Sequence, residues 1–167
     1  SDQRIEAALD DVIALGIPAC TIFSALILSD DSTPNLKQRI AIKAQSAGLF
    51  IAGANGMGFY NVRDRVLAGG FDTRDHPYPG NVALISQSGA GMSGIVDCEQ
   101  RIQFNFAVSS GYELTVAMED YLDYALDLPE TRVVGLFLET SRYPEKLIQA
   151  FKQANQLNIP IVVLKVC

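Results

Sequence analysis

Short apolar runs of strand length alternate along this chain with amphipathic stretches of helix length, and that alternation constrains the fold more than any other feature. The apolar runs fall at 18–23, 49–52, 82–86, 104–109, 132–139 and 161–165. Before the first of them, residues 3–15 place Ile5, Ala8, Leu9, Val12 and Ile13 at helical spacing, with Gly16 where a C-terminal cap belongs. Further helices are predicted from Thr33-Pro34 to about Ala47, from the glycine-rich start at Ser88, over 114–126 and over 144–157. Strands separated by helices and short connections predict an α/β fold, with parallel sheet covered by helices and ligands beyond the carboxyl ends of the strands. No repeat of fixed period is present, which argues against a solenoid.

Over residues 63–79 the alternation lapses into Gly69-Gly70, Asp75-His76-Pro77 and Tyr78-Pro79-Gly80, and a connector is predicted there. It divides the chain into a first unit, 1–62, and a second, 80–167. At 167 residues, 49% hydrophobic and 19% charged, the composition is that of a folded protein. The apolar runs are far shorter than the roughly 20 residues of a membrane-spanning helix. Thirteen Lys and Arg against 19 Asp and Glu leave a net charge of −6, which argues against a nucleic-acid or anionic-membrane partner. Cys20, Cys98 and Cys167 are widely spaced and accompanied by a single histidine, so neither a disulfide framework nor a metal site is expected, and the reading is cytoplasmic. Ser1-Asp2-Gln3-Arg4 leads straight into the helical pattern, without the basic and apolar segments of a leader.

Chemistry is concentrated where the strand at 82–86 meets Ser86-Gln87-Ser88-Gly89-Ala90-Gly91. A buried strand turning into a helix aims free backbone N–H groups and the positive helix end at one point, an arrangement suited to phosphate. The Ser86 and Ser88 hydroxyls can add donors there. Equally, Ser88 can simply cap the helix while the glycines serve packing. Gly89 to Gly94 also satisfies G-x-G-x-x-G, with Glu113 near the distance of a ribose-binding acid, but a lone match of this kind is weak. A serine nucleophile is poorly supported, because His76 precedes the serine and reads as a surface-loop residue. Glu139 closes an apolar strand and would emerge at the ligand edge, unless it caps the next helix or is solvated with Arg142. Asn55 occupies the matching edge of an earlier strand, where Asn and Gly are also ordinary turn chemistry.

Taken together, Gly53-Ala54-Asn55-Gly56-Met57-Gly58, the run from Tyr78-Pro79-Gly80-Asn81 to Ser86-Gln87-Ser88-Gly89-Ala90, Val108-Ser109-Ser110-Gly111, and Leu128-Pro129-Glu130-Thr131 through to Glu139 resemble the NDP-forming acyl-CoA synthetases. This superfamily includes ADP-forming acetate–CoA ligase and the α subunit of succinyl-CoA synthetase. The resemblance implies a partial Rossmann-like CoA-binding domain at 1–62, followed by a flavodoxin-like domain at 80–167. It implies an acid–thiol ligase that forms acyl-CoA from a small carboxylic acid, CoA and ATP, releasing ADP and phosphate through an acyl phosphate and a phosphohistidine. By the same resemblance Asn55 adjoins the CoA and acyl-phosphate site, and Ser86, Ser88 and Gly89 head the phosphoryl-binding helix. Glu139 orients the phosphorylated histidine. Mg²⁺, an ATP-grasp domain or subunit and an oligomeric enzyme are expected with it.

Departures from the family pattern are clear. Its G-P-N-C reads Gly53-Ala54-Asn55-Gly56, and its S-x-G-N-x-x-D reads Ser109-Ser110-Gly111-Tyr112-Glu113-Leu114-Thr115. An acid other than acetate or succinate is therefore expected, with Tyr112 packing on a larger acyl group. The resemblance also implies a fragment, since the family's first phosphate loop, its histidine and its ATP-grasp domain have no counterpart in these residues. The alternative is a non-catalytic CoA- or nucleotide-binding regulatory module.

Overall fold

The computed structural model describes residues 2–71, 73, 75–98 and 101–166. The first elements are α1 (Asp2–Ala14), β1 (Ala19–Ile22), α2 (Leu36–Ala47) and β2 (Phe50–Gly53). β1 and β2 pair in parallel, Ala19 opposite Phe50 and Ile22 opposite Gly53. The apolar stripe of α2, Leu36, Ile40 and Ala44, is fully buried against Leu9, Ile22 and Ile51, so helical periodicity here becomes packing. The polar faces are joined by Arg39 to Glu6 at 3.1 Å and Lys43 to Asp10 at 2.8 Å. α2 starts two residues later than predicted from Pro34. Asn35 accepts the Gln38 N–H at 3.0 Å and the Gln38 side chain accepts the Asn35 N–H at 3.0 Å, a reciprocal cap that sets the helix start after the proline.

The remaining strands form one sheet: β3 (Gly58–Asn61), β4 (Val66–Gly69), β5 (Val82–Ser86), β6 (Phe104–Ser109), β7 (Val133–Leu138) and β8 (Ile161–Lys165), in the order β4-β3-β6-β5-β7-β8. β6, β5, β7 and β8 are parallel, whereas β3 runs antiparallel to both β4 and β6. The helices between them are α3 (Gly89–Cys98), α4 (Met118–Asp127) and α5 (Pro144–Gln156). Ile85, Val108, Met118, Leu122, Val134 and Ala150 meet in the core on the α4 and α5 side. Met92 and Val96 of α3 pack with Leu84 and Phe104 on the other side. This is the two-faced cover expected of a parallel sheet.

Three expectations change. The predicted connector 63–79 contains β4, which with β3 extends the sheet as a hairpin. A four-residue edge strand that ends in Gly69 offers too few alternating positions to be seen in the sequence. His76 is not a surface residue: it is buried, its ring edge-on to Tyr60 at 5.0 Å and Phe104 at 6.2 Å. The helix predicted over 114–126 begins only at Met118, because Glu113 takes a left-handed backbone (φ 55°) and Thr115 accepts the Ile51 N–H at 2.7 Å. Among the described residues no helix is long and apolar enough to cross a membrane.

Candidate functional site at the carboxyl edge of the sheet

The loops that leave β2, β5, β6 and β7 lock together at one edge. Ser86 is fully buried at the end of β5, and its carbonyl accepts the Ser110 N–H at 2.9 Å. Its hydroxyl donates to the Ser88 carbonyl at 2.7 Å and accepts the Ser88 N–H at 3.2 Å. Ser86 therefore spends its proton on shaping the turn. Ser88 is half-buried and accepts the Gly91 N–H at 3.1 Å, the capping role foreseen for it. The N–H groups of Gly89 and Ala90 have no acceptor within the helix and lie where the chain is half-buried and exposed, respectively. A Cβ on Gly89 would stand 2.6 Å from Met57 Cγ, so the absence of a side chain lets the loop after β2 close over the start of α3.

Asn55 lies in that same loop, exposed, with φ 54° and its N–H donated to the Ser24 carbonyl at 2.9 Å. Its neighbours tie the loop to the segment after β6, with Tyr112 N–H to Ala54 O at 2.6 Å and Leu114 N–H to Gly53 O at 3.1 Å. Glu139 follows β7 directly and is exposed. Its N–H and that of Thr140 both donate to Gln87 Oε1, at 2.7 and 2.8 Å. The structure thus brings Glu139, Ser86, Ser88, Gly89 and the Asn55 loop to one edge, as the strand ends required.

Four residues outside the expected phosphate- and CoA-binding set organise it. Gln87 is buried and satisfies both ends of its amide: besides accepting from Glu139 and Thr140, its Nε2 donates to Thr140 O at 2.7 Å and Glu113 Oε1 at 2.9 Å. Glu113 Oε1 also accepts the Ser110 hydroxyl at 2.8 Å and the Met118 N–H at 3.2 Å. Glu119, fully buried in the first turn of α4, accepts the Ser141 hydroxyl and, at 3.1 Å, the Tyr143 N–H. Arg142 pairs with Glu113, Nε to Oε2 at 3.4 Å. Burial, reinforced by the charges of Glu113 and Asp120, pushes the Tyr121 phenol well above its ordinary range, so it stays neutral beside them. The sequence carried partial signals for this hub: Gln87 inside the Ser86-Gln87-Ser88-Gly89-Ala90 run, Glu113 within the segment 109–115, and Arg142 as a solvated neighbour of Glu139, though none of them in the role the structure gives it.

These bonds also weigh against the dinucleotide reading. Glu113 is committed inward, and a Cβ on Gly94 would meet nothing within 4 Å, so neither the acid nor the third glycine performs the role that motif needs. Among the described residues no group of three or more His, Cys, Asp or Glu is placed to hold a metal ion.

A family model described as succinyl-CoA ligase like flavodoxin domain matches residues 79–167. The chain belongs to this family. It is 29% identical over 89% of its length to a trans-feruloyl-CoA synthase from an unknown prokaryotic organism. It is 26% identical over 96% of its length to an ADP-forming acetate–CoA ligase from Methanocaldococcus jannaschii. The chain spans 22% of the length of each of these relatives. In fold, it matches the apo form of a dinucleotide-forming acetyl-coenzyme A synthetase from Ca. Korarchaeum cryptofilum with a TM-score of 0.83 at 24% identity, covering 98% of this chain and 36% of that one. The flavodoxin-like α/β architecture expected from the sequence is therefore the observed one.

Proposed function

We propose that this member of the succinyl-CoA ligase family forms part of an acid–thiol ligase. The reaction joins a carboxylic acid to CoA at the expense of ATP, releasing ADP and phosphate, by way of an acyl phosphate and a phosphohistidine carried on another segment. The observation that supports this reading best is the convergence on Gln87. One buried amide, itself part of the turn that heads α3, binds the backbone of Glu139 and the carboxylate of Glu113, so the donors of that turn and a carboxylate share a rigid support. Phosphoryl transfer depends chiefly on such positioning and fixed charge.

In this reading the unit built from α1, β1, α2 and β2 is the later part of a CoA-binding domain, while β3 belongs to the second sheet, and Asn55 faces CoA and the acyl phosphate from the loop after β2. The N–H groups of Gly89 and Ala90 and the hydroxyl of Ser88 bind the transferring phosphoryl group, while Ser86 holds their turn in shape. Their donor chemistry fits a phosphate. Glu139 orients and stabilises the phosphorylated histidine. ATP supplies the phosphoryl group and Mg²⁺ offsets its charge, both held by an ATP-grasp domain or subunit. His76, enclosed by Tyr60 and Phe104, is not the phosphorylated residue.

Incubating the intact protein with CoA, ATP, Mg²⁺ and a panel of carboxylic acids, aromatic acids included, is expected to yield acyl-CoA with ADP and phosphate. CoA binding without turnover of any acid would favour the regulatory module instead. Tyr112 supplies a narrower prediction. Its ring lies under the Lys37 ammonium, 3.8 Å from the ring centroid, at a cavity of about 260 Å³ that Leu26, Leu28 and Asn35 also line. Tyr112→Ala is expected to shift the ratio of kcat/KM values between a bulky and a short acid by about tenfold toward the short one. An unchanged ratio would remove Tyr112 from the acyl site.

A further inference from the structure

We propose that Arg142 is an anion-binding residue of this site and that Glu113 presents it to the phosphoryl group. The inference rests on the ligase reading for its substrate and on the following geometry for its location. The Glu113 side chain is completely buried. Oε1 accepts three hydrogen bonds, from Gln87, Ser110 and Met118, whereas Oε2 is buried with no hydrogen-bond partner. A carboxylate oxygen withdrawn from water and left unbonded is costly unless a cation stands by. Arg142 is that cation, at 3.4 Å from Nε.

The pair does not use the arginine up. Nε faces Glu113 and Nη2 donates to the Tyr112 carbonyl at 3.3 Å, while the Arg142 side chain remains 47% exposed. A guanidinium carries five N–H donors in a planar fork, so donors remain on its outer side. Their place is fixed by the chain of bonds already described: Glu113 to Gln87, Gln87 to the backbone of Glu139 and Thr140, and Ser88 next in sequence to Gln87. The fork therefore stands at the edge where α3 begins.

Electrostatics gives it a task there. Glu113, Glu119 and Glu139 all belong to this edge, and an incoming phosphoryl or carboxylate anion meets their combined repulsion. The helix start contributes only partial charges. Arg142 adds a full positive charge in a geometry suited to phosphate, and the buried carboxylate behind it keeps the fork from swinging away.

The test is binding of inorganic phosphate to the intact protein, measured directly by equilibrium dialysis, with KM for phosphate in the acyl-CoA-cleaving direction as the second readout. Arg142→Ala is expected to weaken phosphate binding about tenfold, to raise KM for phosphate in step and to leave KM for CoA unchanged, while the unfolding midpoint falls because the buried Glu113 carboxylate loses its cation. Arg142→Lys recovers part of the loss. Glu113→Gln, whose carbonyl can accept the same three donors but has no charge for the guanidinium, weakens phosphate in the same direction. If Arg142→Ala binds phosphate like the unmodified protein while acyl-CoA is made, this inference falls and the ligase reading stands. If phosphate binding drops as stated but no acid is ever activated, the ligase reading falls and the anion site stands.

Discussion

Glu139→Gln is expected to lower phosphohistidine formation roughly a hundredfold and to move the unfolding midpoint by no more than about 2 °C. The two effects separate because the residue is held by its backbone. Its N–H is fixed by Gln87 Oε1 at 2.7 Å, while its side chain, exposed beyond the end of β7, carries the charge. A carboxylate on one imidazole nitrogen sets the tautomer and stabilises positive charge as the other nitrogen is phosphorylated. The amide can keep a hydrogen bond but not the charge. Phosphorylation within twofold of the unmodified protein would assign Glu139 to solvent instead.

Gly111→Ala is expected to be the most damaging single-methyl change in the site, costing about 3 kcal/mol or more and lowering the unfolding midpoint on the order of 10 °C. Gly111 has φ 62°, and a Cβ there would lie 2.0 Å from the Ala54 carbonyl oxygen and 2.8 Å from the Gly56 nitrogen. The obstacle is backbone on the facing loop, held in turn by the Tyr112 N–H on Ala54, so no rotamer change relieves it. Either the loops after β2 and β6 separate, or the substituted protein fails to fold. Calorimetry showing an unchanged midpoint would mean that the two loops do not interlock as described.

Much of this architecture is legible in the sequence because burial writes itself as pattern. Val82 to Ser86 and Phe104 to Ser109 are apolar runs since both faces of their strands are covered, and Leu36, Ile40 and Ala44 recur at helical spacing since one face of α2 is. The strand ends then located Ser86, Ser88, Gly89, Asn55 and Glu139 at one edge. Gln87, Glu113, Glu119 and Arg142 escaped that logic. Their importance lies in bonds between segments far apart in the chain, 26 residues from Gln87 to Glu113 and 52 from Glu139 to Gln87, and periodicity carries no trace of such pairings. β4 was hidden for a related reason, being a short edge strand whose stability comes from pairing with β3 rather than from its own composition. His76 misled because its flanks, Asp75 and Pro77, have the character of a loop, while its own ring is enclosed by Tyr60 and Phe104.

The central claim is that the phosphoryl group passes through the protein in an ADP-forming ligation. Incubating the intact protein with ATP labelled at the γ-phosphate, then chasing with CoA and an acid it accepts, tests this most directly. The account predicts ADP release with label bound to protein in an acid-labile, base-stable form, and discharge of that label as inorganic phosphate in the chase. AMP and pyrophosphate as products, or acyl-CoA made with no labelled protein at any time, would contradict it.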